Sequence, residues 1–170
     1  QVLKVLTELR PSNTKRFNME DELARQYPEL EFERPAGEVV YRVRGANGTI
    51  LLKKALEHYA SKAALDIESL GEKNVVALVD AKLVKDIADI YALTVDQVEQ
   101  LDRFAKVSAQ KLVTAIQAAK TPELPKFIYG LGIRHVGIQT AIDLAERFKN
   151  LNTLSKASLD ELLAIDGIGE

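Results

Sequence analysis

Four segments of the chain align on a small residue, Gly71, Ala105, Gly137 and Gly169, spaced 34, 32 and 32 apart. An apolar residue stands immediately before each (Leu70, Phe104, Val136, Ile168), and another stands four before it (Ile67, Leu101, Ile133, Ile165). The first three segments continue with a hydroxyl or amide residue at +3 (Asn74, Ser108, Thr140). A small or β-branched residue follows at +4 (Val75, Ala109, Ala141), and Leu at +7 (Leu78, Leu112, Leu144). The chemistry this pattern offers is anion binding. A short helix ends, the chain turns tightly, and a second helix begins whose first amides lack intrahelical acceptors. Those amides, together with the positive end of the helix dipole, form a site suited to phosphate. The aligned glycine is expected to supply the turn's unusual dihedrals. The apolar residue before it should anchor the turn, with +4 and +7 packing the second helix on the first.

The residues placed to touch a phosphate are Ser69, Gly71 and Lys73 in the first hairpin, and Arg103, Lys106 and Ser108 in the second. Arg134, His135, Gly137 and Thr140 serve the third, and Gly167 and Gly169 the fourth, whose pattern stops before its helix. The units are unequal. Arg103-Phe104-Ala105 has neither possible glycine and reads as structural, whereas the other three turns read as competent. A plain helical solenoid has a similar period, but the Trp-x-x-Leu-Gly and Thr-Pro-Leu-His signatures of tetratricopeptide and ankyrin repeats are absent.

Other chemically suggestive residues carry less. Gly130-x-Gly132 is half of a dinucleotide fingerprint, but no strand precedes it and position 135 is His. His58 and His135 are far apart in sequence, and His58 reads as a helix residue at a packing interface. Glu22 with Glu29, and Asp160 with Glu161, read as solvated or capping carboxylates, not a general acid–base pair. Lys53-Lys54 reads as an exposed helix face.

The elements that must position the hairpins change character near residue 48. Residues 1–48 contain short alternating runs, Val2-Leu3-Lys4-Val5-Leu6 and Val39-Val40-Tyr41-Arg42-Val43, punctuated by Pro and Gly, with a helical stretch over Glu20–Gln26. From Thr49 the apolar spacing is helical. Thr94 with Gln97 and Ser158 with Glu161 predict capping boxes, Thr121-Pro122-Glu123 a helix start, and Asn150 a helix stop. The expected fold is mainly α: an array of four hairpins with a small N-terminal β/irregular subdomain.

Composition excludes several classes. With 46% hydrophobic and 28% charged residues the chain has ordinary globular character, and no apolar run reaches the roughly 20 residues of a membrane helix. There are no cysteines, so disulfides and thiolate metal sites are excluded, and a cytoplasmic setting is expected. The net charge of −2 offers no general basic field, so any nucleic-acid binding must be local. A start at Gln1 without Met, and an end at Glu170 inside a turn pattern, read as the limits of a fragment.

Three runs resemble the helix-hairpin-helix motifs of bacterial NAD-dependent DNA ligases: Leu70-Gly71-Glu72-Lys73, Tyr129-Gly130-Leu131-Gly132-Ile133-Arg134-His135-Val136-Gly137, and Leu163-Ala164-Ile165-Asp166-Gly167-Ile168-Gly169. The run from His58 to Glu68 and Val5-Leu6-Thr7-Glu8-Leu9-Arg10-Pro11 resemble the same family. The resemblance implies that 1–16 is the end of an OB-fold domain, that 17–48 takes the place of a small zinc finger, and that 49–170 is a helix-hairpin-helix domain. The family's finger uses four cysteines. Here the second pair would fall at Val43 and Gly48 and the first between Asn18 and Leu30, so zinc is not expected and apolar contacts should hold this region.

The family's adenylation lysine lies in a Lys-x-Asp-Gly motif, which does not occur in this sequence. The resemblance therefore implies binding of double-stranded, nicked DNA without catalysis. NAD and Mg would serve the longer parent, and no cofactor, small-molecule ligand or membrane would be bound here. Two other readings remain at this stage: a protein-docking scaffold, and an inactive ligase paralogue.

Overall fold

The computed structural model describes residues 10–11, 13–14, 17–28, 30–44, 48–165 and 167–169. The chain divides into two compact units, 1–47 and 48–170. Most of 1–16, including the Val2–Leu6 run, and also Glu29, Asp166 and Glu170, lie outside the described residues.

In the first unit, helix α1 spans Met19–Gln26, one residue earlier than the sequence predicts, and the Asn18 side chain caps it by accepting from the Glu20 amide. Strands β1 (Glu31–Glu33) and β2 (Arg42–Arg44) pair antiparallel, with Phe32 opposite Val43. Only the end of the Val39–Val43 run is strand, and Val39 and Val40 are exposed. None of the described residues of this unit is buried. The expected apolar packing is thus replaced by polar and ring contacts. Arg42 Nη2 lies 2.6 Å from both carboxylate oxygens of Glu38, and Tyr41 donates to Glu20 at 3.1 Å. Arg44 pairs with Glu33 at 3.3 Å, and the Tyr27 and Phe32 rings meet edge-on at 6.3 Å. The chain has no cysteine, and both histidines lie beyond residue 47, so neither of zinc's preferred soft donors exists here. The residues present do not fit a zinc finger.

The second unit is helical. Its helices are α2 (Gly48–Ala60), α3 (Glu72–Asp80), α4 (Val95–Glu99) and α5 (Lys106–Ala118), followed by α6 (Leu124–Gly130), α7 (Ile138–Phe148), α8 (Leu151–Leu154) and α9 (Leu159–Leu163). A 3-10 turn, Ala88–Ala92, precedes α4. Among the described residues no helix is long and apolar enough to cross a membrane.

The repeat register becomes burial. The +4 residues Val75, Ala109 and Ala141 are fully buried, and so are Leu78 and Leu112 at +7; Leu144 is 5% exposed. Each such Leu is worth about 1.5–3 kcal/mol of transfer from water. The cores are two. One gathers Leu56, Ile67, Leu70, Val75, Leu78, Val98, Phe104, Leu112 and Ile116, and so serves the first two hairpins. The other gathers Ile128, Ala141, Leu144, Ala145 and Phe148, with Val136, Ile165 and Ile168 packed on it, and serves the last two.

Both predicted capping boxes form. Thr94 and Gln97 exchange bonds at 3.0 and 3.3 Å, and Ser158 and Glu161 at 2.9 and 3.3 Å. Hydrogen bonds from the Ser158 amide and hydroxyl hold the Glu161 carboxyl below the usual carboxylate range. Two other boundary expectations are corrected. Helix α6 starts at Leu124, with Glu123 as its cap residue and Pro125 in its first turn, so Thr121 and Pro122 precede it. Asn150 does not stop α7; Lys149 does, at φ +63°, and Asn150 caps α8 by accepting from the Thr153 amide.

Candidate nucleic-acid interface

All four repeats close a tight turn with the same backbone hydrogen bond. The amide of the residue at −1 donates to the carbonyl at −4: Leu70 to Ile67 at 3.2 Å, Phe104 to Leu101 at 2.9 Å, Val136 to Ile133 at 3.0 Å and Ile168 to Ile165 at 3.1 Å. The unusual dihedral is not at the aligned glycine, as the sequence predicts, but two residues earlier. Ser69 and His135 both have φ +67°, and Gly167 has φ +84°, the conformation a type II turn requires at its third position. Arg103, at the same position of the second turn, is not left-handed.

The aligned residues have ordinary extended backbones. Gly71 (φ −84°, ψ 174°), Ala105 (φ −100°, ψ 166°) and Gly137 (φ −82°, ψ −179°) are the N-cap residues of α3, α5 and α7. A Cβ built on Gly71, Gly137 or Gly169 would meet nothing within 4 Å. Neither dihedral nor packing demands glycine there, and Ala105 fills the same role in the second hairpin. What the missing Cβ gives is open access to backbone amides. The Gly71 carbonyl accepts from Asn74 and Val75, at 2.9 and 3.0 Å, and the Gly137 carbonyl from Ala141 at 2.9 Å. Helix geometry leaves the first amides of each helix without intrahelical partners.

The predicted site residues separate by hairpin. In the first, Gly71 and Lys73 are exposed at the start of α3, and Ser69 is half-buried in the turn. Asn74, in the repeat register but not among the predicted contacts, donates from Nδ2 to the Ser69 carbonyl at 2.7 Å and braces the left-handed residue. In the second, Ser108 is engaged internally: its Oγ accepts from the Ala105 amide at 2.9 Å and donates to the Ala105 carbonyl at 2.8 Å. Lys106 is exposed in the first turn of α5, and Arg103 shares a cleft with Lys73. In the third, Arg134, His135 and Gly137 are exposed together, with Thr140 half-buried one turn in. In the fourth, Gly167 occupies the left-handed position and Gly169 the register of the N-caps.

The remaining suggestive residues are structural. His58 Nε2 donates to the Tyr129 carbonyl at 2.8 Å while the two rings pack edge-on at 4.7 Å. That is the packing role its helical position predicts. Gly130 lies at the end of α6, where a Cβ would come 2.7 Å from Leu65 Cδ1, and Gly132 has φ +64°, so this pair serves close packing and a turn. Lys53 is not on a fully exposed face; it is half-buried and bonds Asp80 at 2.6 Å, while Lys54 pairs with Glu57 at 2.7 Å. The Tyr59 and Tyr91 hydroxyls meet at 2.9 Å, and burial holds the Tyr59 hydroxyl above the ordinary phenol range.

Comparison with known proteins follows the two cores. Residues 61–118 match a family described as a SAM-like helix-hairpin-helix tandem, and residues 126–170 match a helix-hairpin-helix motif family. The chain is 38% identical, over 172 aligned positions, to a DNA ligase of Bacillus subtilis (strain 168), covering 100% of this chain and 25% of that protein. A DNA ligase of Syntrophobacter fumaroxidans (strain DSM 10017 / MPOB) gives the same identity and coverage. The chain thus spans about a quarter of the length of these relatives. From end to end the chain is similar to a segment of these DNA ligases, and from residue 61 on that similarity coincides with the two helix-hairpin-helix matches.

Proposed function

We propose that this chain holds duplex DNA, nicked DNA in particular, for an NAD-dependent ligase, gripping backbone phosphates through hairpin amides without reading sequence. One observation carries the reading: Gly71 and Gly137 lack a Cβ at positions where the fold accepts one freely. Close approach of an outside backbone explains that, and phosphate is the ligand that suits amides at a helix start. Contacts of this kind position a protein on DNA but carry no sequence information. The contact residues are Ser69, Gly71 and Lys73, Arg103, Arg134, His135 and Gly137, Thr140, and the turn of Gly167 and Gly169. Ser108 caps the second hairpin. Adenylation with NAD and Mg, and the sealing step in replication and repair, belong on this reading to the rest of a longer cytoplasmic enzyme.

The test uses Gly71→Ala and Gly137→Ala. Thermal unfolding should be unchanged or slightly raised, because Ala reduces the entropy of the unfolded chain at a compatible backbone position. Affinity for a labelled nicked duplex, read by fluorescence anisotropy, should fall several-fold for each variant. Retained affinity with the fold intact would sink the amide mechanism and favour docking to a protein partner. No binding by the parent chain at low salt would remove the DNA reading itself.

A further inference from the structure

A shallow cleft of about 350 Å³ is lined by Glu72, Lys73, Val76 and Ala77 of α3 and by Arg103 from the turn of the second hairpin. Two cations from different hairpins therefore face one space. Neither is in an ion pair among the described residues, and together they exceed the Glu72 carboxylate by one charge. Glu72 and Lys73, which line the cleft, directly follow Gly71 in the chain, where the missing Cβ leaves the backbone uncovered. The cap of the second hairpin is less open to an anion of its own. Its N-cap position carries a Cβ at Ala105, its Ala105 amide is occupied by Ser108 Oγ at 2.9 Å, and Arg103 lacks the left-handed turn geometry of Ser69 and His135.

We propose that the first two hairpins form one phosphate site rather than two, with Arg103 serving the phosphate held at Gly71 and Lys73. The second hairpin then works as a strut: buried Phe104, Ala109 and Leu112 fix its turn in the shared core, and that turn presents a guanidinium across the cleft. Arginine suits this task, since its planar fork pairs with two phosphate oxygens at once. The proposal rests on the DNA-holding reading above and assigns the second hairpin, which lacks both glycines, a role within it.

A double-mutant cycle on the whole chain tests it, with nicked duplex as the probe and circular dichroism confirming each fold. Arg103→Ala should lower affinity several-fold but reduce the log–log salt slope by clearly less than the about 0.9 of a whole phosphate, because Lys73 still faces the phosphate the two share. In a Gly71→Ala background the same substitution should cost much less, because the phosphate it serves is already displaced; in a Gly137→Ala background it should cost its full amount. Lys106→Ala, on the second hairpin's own helix start, should change affinity less than two-fold. Equal cost of Arg103→Ala in both glycine backgrounds, or a Lys106→Ala loss as large as that of Arg103→Ala, would overturn the shared site while leaving the amide reading standing. Failure of the parent chain to bind duplex would overturn both.

Discussion

At the scale of single residues, the hairpins separate two requirements that the sequence merges. One position must be left-handed, and another must be open to an approaching backbone. The first falls on Ser69, His135 and Gly167, the second on Gly71, Gly137 and Gly169. A non-glycine residue in the left-handed region costs roughly 1–2 kcal/mol, so Ser69 and His135 hold strain that glycine would relieve. Ser69→Gly should therefore raise stability by about 0.5 kcal/mol after the entropy of the added glycine is charged against it. Ser69→Val should lower stability by at least about 1 kcal/mol, since β-branched residues tolerate this region worst. Shifts in the urea midpoint at constant slope measure both, and equal shifts for the two variants would show that the turn is not strained. This division was not legible beforehand because Ser and His carry no glycine signature; only Gly167 marked the left-handed position. The bracing Asn74 was legible as a member of the +3 register, yet its bond to the Ser69 carbonyl depends on a turn geometry that spacing alone does not give.

At the scale of elements, period and caps were the dependable signals. The +4 and +7 residues predicted to pack are buried in every complete hairpin, and both predicted capping boxes form. Boundaries failed where one residue type serves two purposes. Asn150 has the chemistry of a helix stop and of a helix start, and the left-handed Lys149 immediately before it takes the first role. The strands of the first unit are three residues each, too short for alternation to define. What the sequence did not announce is how the two hairpin pairs meet. Each pair has its own core, and the junction runs through Gly130, where α6 passes Leu65 and Tyr59, and through the His58 bond to the Tyr129 carbonyl. Gly130→Ala would place a methyl 2.7 Å from Leu65 Cδ1 and 3.2 Å from Tyr59 Cδ2. Leu65 can move its tip but the buried Tyr59 ring is fixed by Tyr91, so the substitution should cost about 1–3 kcal/mol. Differential scanning calorimetry is the check. A variant as stable as the parent would mean that the helices separate at no cost, and that the junction is softer than its packing implies.

At the scale of the whole molecule, the chain carries 23 Lys and Arg against 25 Asp and Glu, so long-range attraction to a polyanion is weak. If DNA is held as proposed, affinity comes from a few sites where amides and isolated cations converge. The cationic side chains at the hairpin turns and helix starts are Lys73, Arg103, Lys106 and Arg134; other cations, such as Lys53 and Lys111, pair with Asp80 and Glu68. Counterion release scales with the phosphates neutralised by such side chains, at about 0.9 in the log–log slope for each. The expected slope for this chain is therefore about −2 if Lys73 and Arg103 share one phosphate and Arg134 serves another, and about −4 if each of the four cations meets a phosphate of its own. Amide contacts add affinity at every salt concentration without steepening that dependence. An anisotropy titration over a series of NaCl concentrations reads the slope directly. A value near −8 would mean that cations spread over the surface track the duplex, and the hairpin ends would lose their place as the points of attachment. A slope within the expected range, with equal affinity for duplexes of unrelated sequence, is the combined signature of a clamp that holds the backbone at a few fixed points and leaves the bases unread.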